Sequence, residues 1–153
     1  MLSESSPWLE AAFDELGVAE CPGAEHTYRI LEYHAVTTLG DWGRSRDETP
    51  WCSSFVNWCV HFDAEPSRSA LARSWLHWGK ACEPTLGCVC VLKRRKKGPD
   101  KRTGSRGGYH VGFYLGPSKK GVILLSGNAS DRVGIDWYAK HRWDVMAYRS
   151  CEL

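Results

Sequence analysis

Apolar residues recur at helical spacing through the first half of the chain and in alternation through the second. Trp8, Leu9, Ala12, Phe13 and Leu16 follow a Ser6 cap and a first-turn Pro7 and run out at Gly17, which predicts a short amphipathic helix. After the Cys21-Pro22-Gly23 turn, Tyr28, Ile30, Leu31, Tyr33 and His34 predict a second helix reaching about Thr38. A polar loop from Asp41 to Glu48 leads into a third. There Thr49 suits the N-cap, Pro50 the first helical position, and Phe55, Val56, Cys59, Val60 and Phe62 form the apolar stripe, so Cys52 falls in the first turn. Ser69 to Trp78 predicts a fourth helix, closed by Gly79.

Beyond Pro84 the period changes from 3.6 to 2. Strands are predicted at Gly87 to Leu92, Tyr109 to Leu115, Val122 to Ser126, Arg132 to Ile135 and Val145 to Arg149, separated by Gly, Pro, Asn and Asp turns. Helices first and strands afterwards predict an α+β fold with an antiparallel sheet of about five strands. The 153 residues suit one domain, helical over about 6–80 and sheet over about 86–150.

The net charge of +2 is too small to point to nucleic acid, but its distribution is uneven. Lys93 to Arg106 carries eight basic residues and one acid, net +7, leaving −5 on the rest of the chain. This basic loop, 93–108 with its flanking glycines, joins the first two predicted strands, and its Gly-Pro, Thr-Gly-Ser and Gly-Gly content predicts mobility. The start of the chain lacks a basic n-region and an apolar stretch, so no signal peptide is predicted, and no apolar run is long enough to span a bilayer. Seven cysteines cannot all pair within one chain, and most read as reduced packing residues. Cys88 and Cys90 share a strand face and, with Cys82 and His77, form the nearest approach to a zinc set, yet no paired Cys-x-x-Cys knuckle is present. No metal or other cofactor is implied. Trp51, Trp58, Trp75 and Trp78 read first as core residues.

Cys52 is the candidate nucleophile, because a helix N-terminus with a nearby imidazolium lowers a thiol pKa below its usual ~8.5. His110 is the candidate base. Alternation puts His110, Gly112 and Tyr114 on one face of their strand, and Gly112 leaves room beside the ring. Pairing Leu115 with Val122 sets His110 against Gly127, and a one-residue adjustment sets it against Asn128, an amide able to fix the ring tautomer. Trp51 and Ser53, which flank Cys52, are candidate substrate contacts.

The runs Asp-Glu-Thr-Pro-Trp-Cys-Ser-Ser-Phe-Val-Asn-Trp-Cys (47–59), Ala-Arg-Ser-Trp-Leu-His-Trp-Gly (72–79), Tyr-His-Val-Gly-Phe-Tyr-Leu-Gly (109–116) and Ser-Gly-Asn (126–128) resemble the NlpC and CHAP superfamily of cell-wall cysteine peptidases. The closest resemblance is to the branch with phage lysins and type VI secretion amidase effectors. It implies a papain-like fold and hydrolysis of an amide bond in peptidoglycan stem peptides or their cross-links. Cys52 then resembles the nucleophile, His110 the general base and Asn128 the orienting third residue. The resemblance further implies a monomer made in the cytoplasm, acting at the cell wall or in the periplasm after non-classical delivery, with an acidic immunity-type inhibitor as a possible partner. Cys88-Val89-Cys90 and the long basic loop depart from the family pattern. Two other readings stay open: a thiol acyltransferase using the same Cys and His, and an anion- or nucleic-acid-binding module built on the basic loop.

Overall fold

A computed structural model describes residues 6–21, 27–39 and 50–151. Helices α1 (Trp8–Asp14), α2 (Tyr28–Ala35) and α3 (Cys52–His61) precede a 3-10 helix (Ala72–His77) and six strands. These are β1 (Lys80–Ala81), β2 (Val89–Arg94), β3 (Tyr109–Ser118), β4 (Gly121–Ala129), β5 (Arg132–Ala139) and β6 (Trp143–Ser150), in the order β1-β6-β2-β3-β4-β5 with every pair antiparallel. The chain is therefore α+β. Among the described residues no helix is long and apolar enough to cross a membrane.

The alternation of β2 and β3 sorts the core into two layers. Val89, Val91, Val111 and Phe113 face the helices and pack with Trp8, Ile30, Tyr33, Trp51, Phe55 and Trp75. Cys88, Cys90, Leu92 and Tyr114 face the other way and join Leu124, Tyr138 and Trp143 in a second cluster. Helix α3 is central, with eight of its ten residues buried, so it cannot keep its polar side chains in water. They bond inward instead. Ser53 Oγ donates to the Ser69 carbonyl (2.6 Å) and accepts from Trp75 Nε1 (2.9 Å), while Asn57 Nδ2 donates to the Ser69 carbonyl (3.0 Å) and its Oδ1 accepts from the Arg68 N–H (2.6 Å). This network pins the 67–75 segment onto α3.

Several sequence expectations shift here. Thr49 lies outside the described residues; the structure makes Trp51 the N-cap of α3, whose carbonyl takes the Phe55 N–H (2.9 Å), so Cys52 is the first helical residue and Pro50 precedes the cap. In α1, Pro7 occupies the cap position rather than the first turn. The fourth helix is 3-10 and shorter than predicted, because its buried contacts come from Trp75 and the Ser53 bond rather than from a continuous apolar stripe. The two-residue β1, too short to show a period, is the strand that alternation missed. The expected six-residue loop after β3 is a tight hairpin closed at Ser118 and Gly121, with Lys120 in the left-handed region. Pro117 reads as a turn residue yet lies in the strand, because β2 pairs no further than Phe113 and leaves that end of β3 with one neighbour.

Gly127 is where the sheet meets the start of α3: a Cβ there would stand 2.7 Å from Phe55 Cβ and 2.8 Å from the Trp51 ring. Gly127→Ala is expected to destabilise the protein by about 1–3 kcal/mol through overpacking, read as a lower urea midpoint at unchanged m-value.

Candidate active site

The ladder assigns each side of β3 to a neighbour. Tyr114 exchanges backbone bonds with Cys88 and Gly87 on the β2 side, so the N–H groups of Val111 and Phe113 point toward β4. Pairing with β4 runs from Ser118↔Gly121 to Phe113↔Leu125 and goes no further, which releases the Val111 N–H. That N–H faces the Cys52 sulfur, as do the N–H groups of Ser53 and of Cys52 itself. The first turn of α3 thus enters the gap where β3 and β4 part. Trp51 and Phe55 close against Gly127 on one side of that gap.

His110, one residue before Val111, is fully buried, with its ring stacked on Tyr138 at a centroid distance of 5.3 Å and beside Trp143. Its Nε2 lies 2.9 Å from Ser126 Oγ and 3.1 Å from the Tyr138 hydroxyl, which are 3.3 Å from each other. Its Nδ1 has no hydrogen-bond partner. A tautomer with the proton on Nε2 lets that N–H donate to a hydroxyl oxygen and leaves a lone pair on Nδ1. The Cys52 sulfur is close enough to Tyr138 that a thiolate there would oppose ionisation of the phenol. Tyr138 thus neighbours both groups, and no hydrogen bond joins thiol to imidazole.

Of the predicted site residues, Cys52 lies in the helix-side layer with Val111, His110 packs with Tyr138 and Trp143 of the second layer, Tyr138 is the neighbour they share, and Asn128 is placed otherwise. The register of Phe113↔Leu125 would carry Asn128 opposite His110 if it continued. It does not, because β4 bulges between Ser126 and Ala129, and Asn128 adopts a φ of 55°. Its amide turns toward Gly104, where a Cβ would stand 2.7 Å from Nδ2. Ser126 and Tyr138 hold the ring in its place. Trp51 and Ser53 are not surface contacts either. Both are fully buried, the Trp51 indole N–H donating to Glu20 Oε1 (2.7 Å) and Ser53 serving the network below α3. Ser126 had a signal in the sequence, since the space left by Gly112 is where a facing small hydroxyl fits; Tyr138, which reaches across from β5, had none.

The middle of the basic loop is tied to itself and to the sheet by hydrogen bonds. Asp100 Oδ2 accepts from the Thr103 N–H (2.9 Å) and hydroxyl (2.8 Å), and both residues are buried. Arg102 gives its carbonyl to the Ser130 N–H (2.8 Å) and a guanidinium N–H to the Trp137 carbonyl (2.9 Å). It stacks 4.4 Å from the Tyr138 ring centroid and stands 3.7 Å from Asp136. The loop is therefore a wall of the site, on the side of Asn128 and Tyr138.

Burial sets the charge state. It pushes the Cys52 thiol up to about 11, against the Val111, Ser53 and Cys52 N–H groups that favour the thiolate. Burial, then the Arg102 guanidinium, holds His110 down to about 3, partly opposed by Asp100. The low thiol pKa expected from a helix start and a nearby base is thus reversed, because both groups are cut off from water. The closed site holds a neutral thiol and a neutral imidazole. Among the described residues no group of three or more His, Cys, Asp or Glu side chains is arranged to hold a metal ion. Comparison with known proteins yields no relative: no protein-family profile, curated protein or solved structure gives a significant match to the chain.

Two outcomes follow. His110 is neutral in the folded protein well below its ordinary value of 6.5, so the stability it contributes is present above pH 6.5 and is lost as pH falls toward 3. From the pKa difference, wild type should lose about 3 kcal/mol more than His110→Gln between pH 7 and pH 4, measured by urea unfolding. Replacing residues 98–106 with a Gly-Ser linker should lower stability and speed alkylation of Cys52 by about tenfold, read by peptide mapping after timed iodoacetamide labelling.

Proposed function

We propose that the protein is a papain-like cysteine hydrolase of the NlpC and CHAP type, cleaving an amide bond in peptidoglycan stem peptides or their cross-links. The observation that carries the reading lies at the β3–β4 gap: a thiol on the first residue of a helix faces the backbone of Val111, and the residue before Val111 is a histidine whose Nε2 is occupied and whose Nδ1 is not. The substrate class comes from the sequence resemblance. The chemistry comes from the residues.

In this reading Nδ1 of His110 takes the Cys52 proton as the sulfur attacks the scissile carbonyl carbon, so thiolate forms in step with attack rather than beforehand. The backbone N–H of Cys52, a helix donor with no intrahelical acceptor, stabilises the developing oxyanion. The imidazolium gives its proton to the departing amine. Water then loses a proton to Nδ1, attacks the thioester, and releases the acid while the sulfur regains its hydrogen. Ser126 and Tyr138 keep Nε2–H engaged throughout, which holds the productive tautomer. Substrate entry requires the Asp100–Gly104 wall to move, since Cys52 is only 5% exposed. The exposed Lys96, Lys97 and Lys101 outside that wall suit an acidic inhibitor surface.

Digestion of purified peptidoglycan, followed by mass spectrometry of the soluble fragments, tests the reading. Wild type should generate new amino and carboxyl termini at one stem-peptide bond, and Cys52→Ala should generate none while keeping its fold by circular dichroism. Products joined to an added amine instead of water would mark an acyltransferase, and no product at all would remove the class. Ser126→Ala and Tyr138→Phe should each lower kcat by about tenfold or more, and Asn128→Ala by less, because the first two touch the ring. Equal losses at Asn128 and Tyr138 would return the orienting role to the amide.

A further inference from the structure

Strands β5 and β6 follow one another in the chain but not in the sheet. Only the turn from Lys140 to Arg142 joins them, whereas β2, β3 and β4 all lie between them in the strand order. A link that short brings the two strands together, so the sheet curls round until β5 and β6 face each other unpaired. Tyr138 of β5 and Trp143 of β6 meet across this seam, edge to face, with ring centroids 5.5 Å apart. A cleft of about 200 Å³ opens there. Its walls are apolar, from Leu92, Val122, Val145 and the two rings, and among the described residues Lys140 is the one charged side chain that lines it. The Tyr138 hydroxyl is already engaged by Ser126 and His110.

The mouth of the cleft is cationic. The Lys140 N–H donates to the Lys120 carbonyl (2.8 Å), which ties the β5–β6 turn to the β3–β4 turn, and the Arg95 N–H donates to the Arg142 carbonyl (2.9 Å). These bonds gather Lys119, Lys120, Lys140 and Arg142, all exposed, at one end of the sheet. Over 118–122 and 139–145 the one carboxylate is Asp144, and Arg95 pairs with it at 2.9 Å.

We propose that this cleft binds a small organic monoanion, a carboxylate on an apolar body the size of one ring, with the ring inside the cleft and the carboxylate at Lys140. An apolar cavity of ~150 Å³ is enough for a benzene ring, so the volume admits one ring and excludes a larger fused system. Apolar walls with a single lysine are the lining such a ligand needs, and the cations around the mouth favour an anion over a neutral ring. Tyr138 and Trp143 also pack against His110, so occupancy of the cleft is felt at the imidazole through the two rings. The proposal stands apart from the hydrolase reading, since no step of that reaction uses the cleft.

Titration of the full chain with benzoate, followed by proton–nitrogen correlation NMR, tests it. The Trp143 indole N–H, which has no hydrogen-bond partner among the described residues, should shift saturably with a Kd of about 1 mM at low salt. Benzamide, of the same shape but neutral, should bind about fivefold more weakly or worse, and inorganic phosphate, a charge without a ring, should leave the indole resonance in place. Val145 and Lys140 are exposed, so the fold should persist when either is replaced. Val145→Phe, which fills the cleft from its mouth, should weaken benzoate about tenfold or more, and Lys140→Gln should reduce benzoate to the affinity of benzamide. Equal affinity for benzoate and benzamide, an indole shift with phosphate, undiminished benzoate binding in Val145→Phe, or benzoate shifts confined to the lysines of the turns would each overturn the proposal.

Discussion

Everything at the candidate site depends on one unpaired backbone N–H. A buried donor without an acceptor costs about 1–3 kcal/mol, and where β3 and β4 stop pairing the Val111 N–H would be such a donor. The Cys52 sulfur faces it from the first turn of α3. Gly127 provides the clearance for Trp51 and Phe55. The bulge in β4 that opens the gap also sets Asn128 aside and aligns Ser126 with His110. Helix and strand gap are one geometric unit, and the imidazole sits one residue away along β3.

The same packing that builds the site silences it. Burial dominates the titration of both Cys52 and His110, and the donors that favour a thiolate are outweighed. A thiol held neutral in this way resists adventitious oxidation and alkylation for as long as the wall formed by Asp100, Arg102, Thr103 and Gly104 stays in place. Arg102 links the wall to the ring, since it stacks on Tyr138 and also depresses the basicity of His110. Withdrawing it loosens the wall and raises the proton affinity of the ring together.

The α-helices and the five longer strands were legible in the sequence because each is long enough to show a period, as the two-residue β1 is not, and the positions of Cys52 at a helix start and of His110 in a strand were legible because they are local facts. What was hidden is what depends on sheet register. The exchange of Asn128 for Ser126 and Tyr138 turns on a bulge, and Tyr138 reaches His110 across β4 from β5. Trp51 and Ser53 were misplaced as substrate contacts for a related reason: a residue beside a nucleophile in sequence can point into the core, and α3 is buried on nearly every side. The basic loop misled because charge and glycine content describe its exposed half, while one buried carboxylate, Asp100, organises the rest.

That split within the loop separates residues that hold the wall from residues that meet solvent. Arg95, Lys96, Lys97, Gly98 and Pro99 face solvent, as do Lys101 and Arg106, whereas Asp100 and Thr103 are buried and Arg102 and Gly104 lean inward. The outward residues contribute almost nothing to holding the wall together, so their identity is free to answer to whatever docks on the outside. A protein built this way can acquire or lose affinity for a surface or a partner by substitutions along a strip that never touches the sulfur or the imidazole.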